Sequence, residues 1–240
     1  SLTWVDVKGA AGEVTCLDCG GGCEKGFPRD CDRAHTITTS EGLLSDPFRL
    51  LSFTKEHPDF GTYNYVMATH LSEGGVTVVD VSGESGDPFV SHVMVDQFTP
   101  ASSGAGTYDA IMTSADASEI YISNALAPEI QSFAVRWSEA DNTHLLVPDG
   151  FHFYQAPMGP MESGSQIRGM DFNADHTRLY AAVRTPPMLY NLDMTPDESG
   201  RPSLEVLSYT ELPMQPSVVR SYTGFGGREY IFVVSYPEGE

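Results

Sequence analysis

Four cysteines form the group of residues in this sequence that is best suited to chemistry. Cys16, Cys19, Cys23 and Cys31 fall within 16 residues, and three consecutive glycines separate the second cysteine from the third. Four thiolates so close together can hold zinc in a tetrahedral site, around which a glycine-rich backbone folds easily. Zinc ribbons and fingers usually separate two cysteine pairs by a dozen or more residues, however, whereas the longest gap here is seven residues.

An even number of cysteines also allows two disulfides in an oxidising compartment, with three pairings to choose from. The segment is glycine-rich and polar, so its ordering needs a crosslink or a metal to offset the loss of backbone entropy. We favour disulfides that join Cys16 and Cys19 to Cys23 and Cys31, because a bridge across two intervening residues closes a strained loop typical of redox sites. Zinc binding and free or redox-active thiols are the alternatives. Disulfides would predict a periplasmic or cell-surface location.

The seven histidines show no comparable clustering, since none is four residues from another and no HExxH motif occurs. His152 alternates with aromatic residues in Phe151–Tyr154 and is interpreted as a half-buried strand residue. His70 follows the apolar segment 65–69, and for this residue we consider a position facing a central channel. The acidic loop Asp80–Asp87 offers oxygen ligands for calcium, but a solvated turn is the favoured interpretation.

Composition limits the class of protein. The chain of 240 residues carries 33 acidic against 13 basic residues, a formal charge of -20, which excludes a nucleic-acid binder that relies on bulk electrostatics. Hydrophobic residues make up 40% of the chain, enough for a packed core. No transmembrane segment is predicted, and membrane association is expected only through a part of the protein outside this sequence. No cofactor is expected, with zinc or calcium as the alternative.

The elements that must position any site are repeated strands. Ile111–Phe133 matches Met170–Leu192 at a shift of 59 residues, and Leu2–Gly9 matches Val76–Gly83 at a shift of 74. A strand that begins near a tyrosine recurs four times, at Tyr65, Tyr121, Tyr180 and Tyr230. Val147–Gly150 is interpreted as a turn that ends a single helical turn over residues 138–144. Short segments rich in β-branched and aromatic residues, repeated about every 50 to 60 residues, predict an all-β propeller of four-stranded antiparallel blades.

Two segments carry a family resemblance. Asp116–Phe133, in which three residues separate the aspartate from Ile120-Tyr121, and Gly75–Val81 resemble the YVTN and lactonase-like β-propeller repeats of bacteria. The resemblance implies that Asp80, Asp116 and Asp175 are turn or strand-end residues that bind local backbone amides. It implies inter-blade packing for Ile120 and Leu179. Lactonase-like relatives place acids, bases or metal ligands around the central channel, but none of their catalytic motifs is matched here.

The phase of the repeat divides the chain into three parts. Residues 1–9 form the end of a blade, residues 10–40 a cysteine-rich insertion between successive blades, and residues 41–240 successive blades of one domain. The chain therefore begins and ends within a blade. We expect it to be a multi-blade section of a longer polypeptide rather than a ring closed by its own terminal strands.

The expected function is a non-catalytic propeller scaffold that mediates protein–protein contacts in an extracytoplasmic or surface-associated bacterial assembly. The acidic surface, the clustered cysteines and the presence of only three lysines motivate this hypothesis. The alternative is a lactonase-like, metal-dependent hydrolase with its site in the central channel. Carbohydrate binding by exposed aromatic residues such as Trp137 and Tyr154 is a further hypothesis.

Overall fold

The structure is a computed structural model, and it describes only part of the chain. The described residues are 2–5, 36–40, 43–44, 46–71, 74–82, 89–94, 106–112, 118–153, 166–198 and 200–236. The four cysteines, Asp116 and Tyr154 lie outside the described residues, so the predictions made for them stay predictions. The same holds for residues 10–35 of the predicted insertion over residues 10–40 and for most of the acidic loop that follows Asp80.

Sixteen strands make up most of the described residues. They are, in chain order, β1 (Leu2–Val5), β2 (Thr36–Ser40), β3 (Pro47–His57), β4 (Gly61–His70), β5 (Gly75–Asp80), β6 (Phe89–Met94), β7 (Thr107–Met112), β8 (Glu119–Asn124), β9 (Glu129–Ser138), β10 (Thr143–Phe153), β11 (Ile167–Phe172), β12 (Arg178–Val183), β13 (Met188–Asp193), β14 (Val206–Glu211), β15 (Gln215–Thr223) and β16 (Glu229–Tyr236). A 3-10 turn at Phe225–Gly227 is the one helical element in this part of the chain. No helix among the described residues is long and apolar enough to cross a membrane.

The strands form antiparallel sheets in which consecutive strands are neighbours. Three sheets have four strands each: β3 to β6, β7 to β10 and β11 to β14, which we name the first, second and third blades. Two further sheets have two strands, β15 with β16 and β1 with β2. The first strands β3, β7, β11 and β15 contact one another in series. The sheets therefore radiate from a shared centre, which confirms the prediction of an all-β propeller.

The tyrosine repeat identifies equivalent strands. Tyr65, Tyr121, Tyr180 and Tyr230 lie in β4, β8, β12 and β16, each the second strand of its sheet. The first three are buried in clusters between neighbouring sheets, whereas Tyr230 in the two-stranded sheet is 43% exposed. The predicted equivalence is confirmed, with three complete blades and a fourth represented by β15 and β16.

The hydrophobic core lies between the blades. Ile120 of the second blade is fully buried against Tyr65 and Met67 of the first. Leu179 of the third blade is fully buried in a cluster that includes Tyr121 and Ile130 of the second. Both residues occupy the inter-blade positions expected for them. Burial of apolar area between successive sheets is therefore what holds the blades together.

Hydrogen bonds add a second connection between neighbouring inner strands. The Asp109 carboxylate on β7 accepts a bond of 3.0 Å from the backbone N–H of Met170 on β11. The Asp171 carboxylate on β11 likewise accepts a bond of 2.7 Å from the N–H of Ser221 on β15. Gly169 allows β11 to approach β15 closely, since a Cβ atom there would lie 2.8 Å from the backbone nitrogen of Val219. An inner strand is thus fixed to its neighbour at defined positions.

The turn aspartates behave largely as expected. The exposed Asp175 accepts hydrogen bonds from the backbone N–H and the hydroxyl of Thr177 within its own turn. Asp80 accepts a bond of 2.9 Å from the N–H of Ser82, and it also accepts one of 2.7 Å from the hydroxyl of Thr143 in the second blade. Asp80 therefore joins a local turn to an inter-blade contact.

Two local predictions need correction or comment. Val147–Gly150 lies within β10, so its interpretation as a turn is wrong, and residues 138–144 form the hairpin connection between β9 and β10 rather than a helical turn. The sheet order places β10 at an edge, where proline is tolerated, and the register shifts between Pro148 and Gly150.

β2 falls within the predicted insertion and pairs with β1, so residues 6–35 connect two strands of one sheet.

The charge balance predicts a response to salt. Two ion pairs occur among the described residues, Arg49–Asp109 and Arg201–Asp149, against a formal charge of -20 for the chain. Self-repulsion should weaken as the screening length falls from roughly 30 Å at 0.01 M to 10 Å at 0.1 M salt. We expect the melting temperature to rise between these concentrations. A decrease would show that local surface pairs outweigh the net repulsion.

Candidate active site in the central pocket

A pocket of about 230 Å³ opens where the inner strands of the blades meet. Its walls combine two guanidinium groups, two carboxylates and several apolar side chains. The lining residues are Arg49, Leu50 and Leu51 on β3, Thr69 on β4, Asp109 and Ala110 on β7, Met170 and Asp171 on β11, and Arg220 on β15. Four sheets therefore contribute to one site, which we name the central pocket.

Arg49 and Asp109 form the buried side of the central pocket. The Nε atom of Arg49 lies 3.2 Å from Oδ1 of Asp109, whose side chain is only 4% exposed. Asp109 also accepts hydrogen bonds from the backbone N–H groups of Ala110 and Met170. Burial raises the pKa of the Asp109 carboxyl above its ordinary value, although Arg49 and these two amides act in the opposite direction. The bond through Nε orients the guanidinium and leaves its terminal N–H groups for a ligand.

Asp171 and Arg220 form the more open side of the central pocket. The two carboxylate oxygens of Asp171 accept hydrogen bonds from the N–H groups of Phe172 and Ser221, at 3.2 and 2.7 Å. A carboxylate has about four acceptor positions, so Asp171 is held in place while it can still bind a water molecule. Arg220 is exposed and donates from Nη1 to the carbonyl oxygen of Val219 at 2.7 Å.

This arrangement has the parts needed to hydrolyse an ester or lactone. A held carboxylate can take a proton from water, and two guanidinium groups can stabilise negative charge that develops on a carbonyl oxygen. The side chains of Leu50, Leu51 and Met170 supply an apolar wall against which a ring can pack.

A metal in the channel is not supported by the described part of the chain. No three His, Cys, Asp or Glu side chains come together there in a way that could hold a metal ion. Asp109 is bound by Arg49 and by backbone amides, so Asp171 is the carboxylate of the pocket that keeps free acceptor positions. Among the described residues, the central pocket therefore offers one free carboxylate rather than a set of three metal ligands.

His70, which was singled out from sequence, is not part of the central pocket. His70 is fully buried, and its Nε2 atom lies 2.9 Å from the hydroxyl of Thr77 on the neighbouring strand β5. Its backbone N–H donates to the hydroxyl of Thr107 at 2.7 Å, so it ties the first blade to the second rather than facing the channel. His152 lies in β10, and its side chain is outside the described residues.

Sequence reasoning missed the residues that line the central pocket. Asp109 and Asp171 each stand between two hydrophobic residues of a strand, and Arg49 lies among apolar residues near the start of β3. A charged residue in the first strand of a predicted blade was the signal that could have identified them. Their pairing depends on contacts between residues about 60 positions apart, such as Arg49 with Asp109, and no local motif records it.

Trp137 belongs to an aromatic cluster between the first and second blades. Its ring centroid lies 4.2 Å from that of His57, 5.1 Å from that of His144 and 5.5 Å from that of Phe60. Its indole N–H is buried without a hydrogen-bond partner among the described residues. Because intramolecular ring contacts surround Trp137, it is not the isolated exposed platform that the carbohydrate-binding hypothesis assumed.

The same cluster predicts a pH dependence of stability. Burial lowers the pKa of the His144 imidazole below its ordinary value of 6.5, and the positive charges of Lys55 and His57 act in the same direction. The imidazole of His144 therefore binds a proton more readily in the unfolded chain than in the folded one. Its contribution to the free energy of unfolding is fully present above about pH 6.5 and is lost as the pH falls below that value. We expect a lower melting temperature at about pH 5.5 than at about pH 7.5.

Two variants separate His144 from the other titrating groups. His144→Gln should reduce the loss of melting temperature on acidification. His176→Asn is the matched control, because His176 is exposed and has a backbone φ of 57°, which asparagine tolerates. An unchanged pH response in His144→Gln would assign the effect to another group.

Comparison with known proteins gives the fold but no family. No protein-family model matches the chain, and no curated protein matches it. The resemblance to YVTN repeats therefore stays a prediction.

Solved β-propellers do resemble the chain. A periplasmic gluconolactonase of Pseudomonas aeruginosa is 21% identical with a TM-score of 0.52, over 76% of this chain and 46% of that one. Putative 6-phosphogluconolactonases of Bacteroides fragilis and Bacteroides uniformis are 15% and 16% identical, with TM-scores of 0.53 and 0.52, over 84% of this chain and 55% of each of those. The chain thus spans about half the length of these structures.

Proposed function

We propose that this chain carries the catalytic pocket of a lactonase-like hydrolase that opens the ring of a sugar lactone. The observation that carries the proposal is the convergence of Arg49, Asp171 and Arg220 around the central pocket. The similarity in fold to structures named as gluconolactonases supports the choice of lactone, although at 15 to 21% identity it concerns the fold alone. Hydroxyl groups of a sugar ring suit a pocket that is rich in charged hydrogen-bond partners.

In the proposed reaction, Asp171 accepts a proton from a water molecule as the water oxygen forms a bond to the lactone carbonyl carbon. Negative charge moves onto the carbonyl oxygen, where the guanidinium groups of Arg49 and Arg220 stabilise it. The bond from the carbonyl carbon to the ring oxygen then breaks, and the leaving alkoxide takes the proton back from Asp171. One lactone and one water give one hydroxy acid, which at neutral pH releases a proton to the solvent.

Proton release provides the direct test. The chain should accelerate acid production from glucono-δ-lactone above the spontaneous rate, as followed by a weakly buffered pH indicator. Metal removal by a chelator should leave the rate unchanged, because no metal takes part in the proposed step. A rate equal to the spontaneous rate at saturating substrate would contradict the proposal.

A protein-contact scaffold is the second candidate function, and exposed apolar side chains on β14 and β16 favour it. All six residues of the edge strand β14 are exposed. Apolar residues exposed on β14 and β16 are Val206, Leu207, Tyr209, Tyr230, Phe232, Val234 and Tyr236. Exposed apolar side chains in such numbers are typical of protein interfaces. Under this hypothesis, the wild-type chain should crosslink to a partner protein in native extracts, and Leu207→Lys should prevent this crosslink. The rate of lactone hydrolysis should be the same in both.

The proposed location is extracytoplasmic, and it depends on the cysteines. Two disulfides among Cys16, Cys19, Cys23 and Cys31 would suit a periplasmic or surface protein. Alkylation of the natively produced protein under non-reducing denaturation should then label none of them. Four labelled cysteines together with stoichiometric zinc would contradict the disulfides and indicate a reducing compartment.

A further inference from the structure

A second pocket, of about 200 Å³, lies at one end of the blades. It sits where β11 and β15 begin and where β12 and β16 end, with Arg168 near the start of β11 and Arg184 directly after β12. Tyr108, Gln215 and Ser217 complete most of its wall. We name it the arginine pocket. It shares no lining residue with the central pocket.

Arg168 is held firmly in the arginine pocket by groups that carry no charge. Its Nε and Nη2 atoms both donate to the side-chain oxygen of Gln166, the former at 2.7 Å. Its guanidinium carbon lies 4.5 Å from the centroid of the Tyr108 ring, a cation–π contact that fixes the plane of the group. The Tyr108 hydroxyl is in turn 3.1 Å from that of Ser217. Neutral partners therefore orient the guanidinium without balancing its charge.

Arg184 brings a second positive charge to the same pocket. Its Nε atom donates to the side-chain oxygen of Gln215, again a neutral group. Within the part of the chain that the structure describes, the ion pairs are those of Arg49 and Arg201, so neither arginine of this pocket has a carboxylate partner. Burial and the neighbouring Arg184 both lower the pKa of Arg168, which indicates that the two like charges act on each other.

Two adjacent unpaired arginines are unusual in this chain, because acidic residues outnumber basic ones by 33 to 13. Placing like charges together in a partly buried site costs free energy unless an anion offsets it. A guanidinium has five N–H donors, of which Arg168 uses two and Arg184 one in the bonds described above. The remaining donors of the two planar groups suit the oxygens of a carboxylate or phosphate.

We propose that the arginine pocket binds the oxyanion group, a carboxylate or a phosphate, of a small ligand. The net charge of -20 repels large polyanions at long range, so the ligand is a small molecule rather than a nucleic acid. The proposal does not rest on lactone hydrolysis, since it uses different residues and a different chemistry.

Isothermal titration calorimetry with inorganic phosphate and, separately, with gluconate tests the proposal and distinguishes the two anion types. We expect at least one of them to bind, more weakly as the salt concentration rises. Arg168→Gln and Arg184→Gln should each weaken that binding by about tenfold or more, because each removes charge-assisted hydrogen bonds. Arg201→Gln is the matched control, since Arg201 is exposed and paired with Asp149 elsewhere. Its affinity should equal that of the wild type.

Arg184→Lys keeps the charge but loses the planar fork, so it should bind with intermediate affinity. This variant covers the case in which Arg168→Gln fails to fold, because Arg184 lies outside the strands. The absence of binding by both anions at millimolar concentrations would overturn the proposal. So would equal affinity in Arg184→Gln and Arg201→Gln. Lactone hydrolysis by the wild-type chain is measured in parallel. If the chain binds an anion but does not hydrolyse the lactone, only the catalytic proposal is contradicted.

Discussion

Replacing Leu179 by alanine is expected to lower the free energy of unfolding by about 2 to 5 kcal/mol. Leu179 is fully buried between the second and third blades, in a cluster with Tyr121, Ile130, Met170 and Leu192. The substitution removes apolar contacts and leaves a cavity between two sheets, which close packing on both sides prevents from collapsing completely. Urea unfolding followed by circular dichroism measures the change in free energy.

Leu207→Ala is the matched control, because it removes the same atoms from a side chain that is 51% exposed on β14. Its free energy of unfolding should stay within about 0.5 kcal/mol of the wild-type value. Similar losses in the two variants would mean that the inter-blade cluster is not the stabilising core. The comparison therefore separates the contribution of the inter-blade core from that of the exposed edge strand.

The burial of Leu179 explains why the blades could be predicted from sequence. Most residues of the second strands β4, β8 and β12 are buried, so each carries a short apolar segment, and these segments recur at regular spacing. Edge strands have no such constraint. β10 contains Pro148 and Gly150, which resemble a turn, and the fully exposed β14 has no buried face to give it a pattern. Their positions follow from the sheets they join, not from their own residues.

The candidate site could be predicted much less well. Cysteines and histidines were the predicted site residues because their side chains bind metals and take part in catalysis. The central pocket is instead lined by arginines and aspartates that are far apart in the sequence. Arg49 meets Asp109 because β3 and β7 are neighbours around the centre of the propeller. A single sequence reveals the repeat that builds the blades, but the order of side chains around the shared centre depends on the register of each inner strand.

Replacing Asp171 by asparagine is expected to lower kcat/KM for lactone hydrolysis by about 100-fold to 10,000-fold, the usual contribution of a positioned general base. Asparagine keeps the size of the side chain and one carbonyl oxygen to accept an N–H group, but it cannot take a proton from water. Initial rates with glucono-δ-lactone measure the effect. Because the side-chain amide of the asparagine faces the N–H groups of Phe172 and Ser221, a melting curve shows whether the substitution also changes stability.

Asp175→Asn is the control for this substitution, because Asp175 lies in the exposed turn of the same blade and binds only its local neighbours. It should retain the wild-type rate. Arg220→Gln provides an independent reading of the central pocket, since Arg220 is exposed and can be replaced without disturbing the core. Loss of one donor to the developing oxyanion should reduce kcat by about 100-fold to 1,000-fold with little change in stability. If Asp171→Asn and Asp175→Asn were equally active, Asp171 would be a structural link between β11 and β15, and the base would have to be another group.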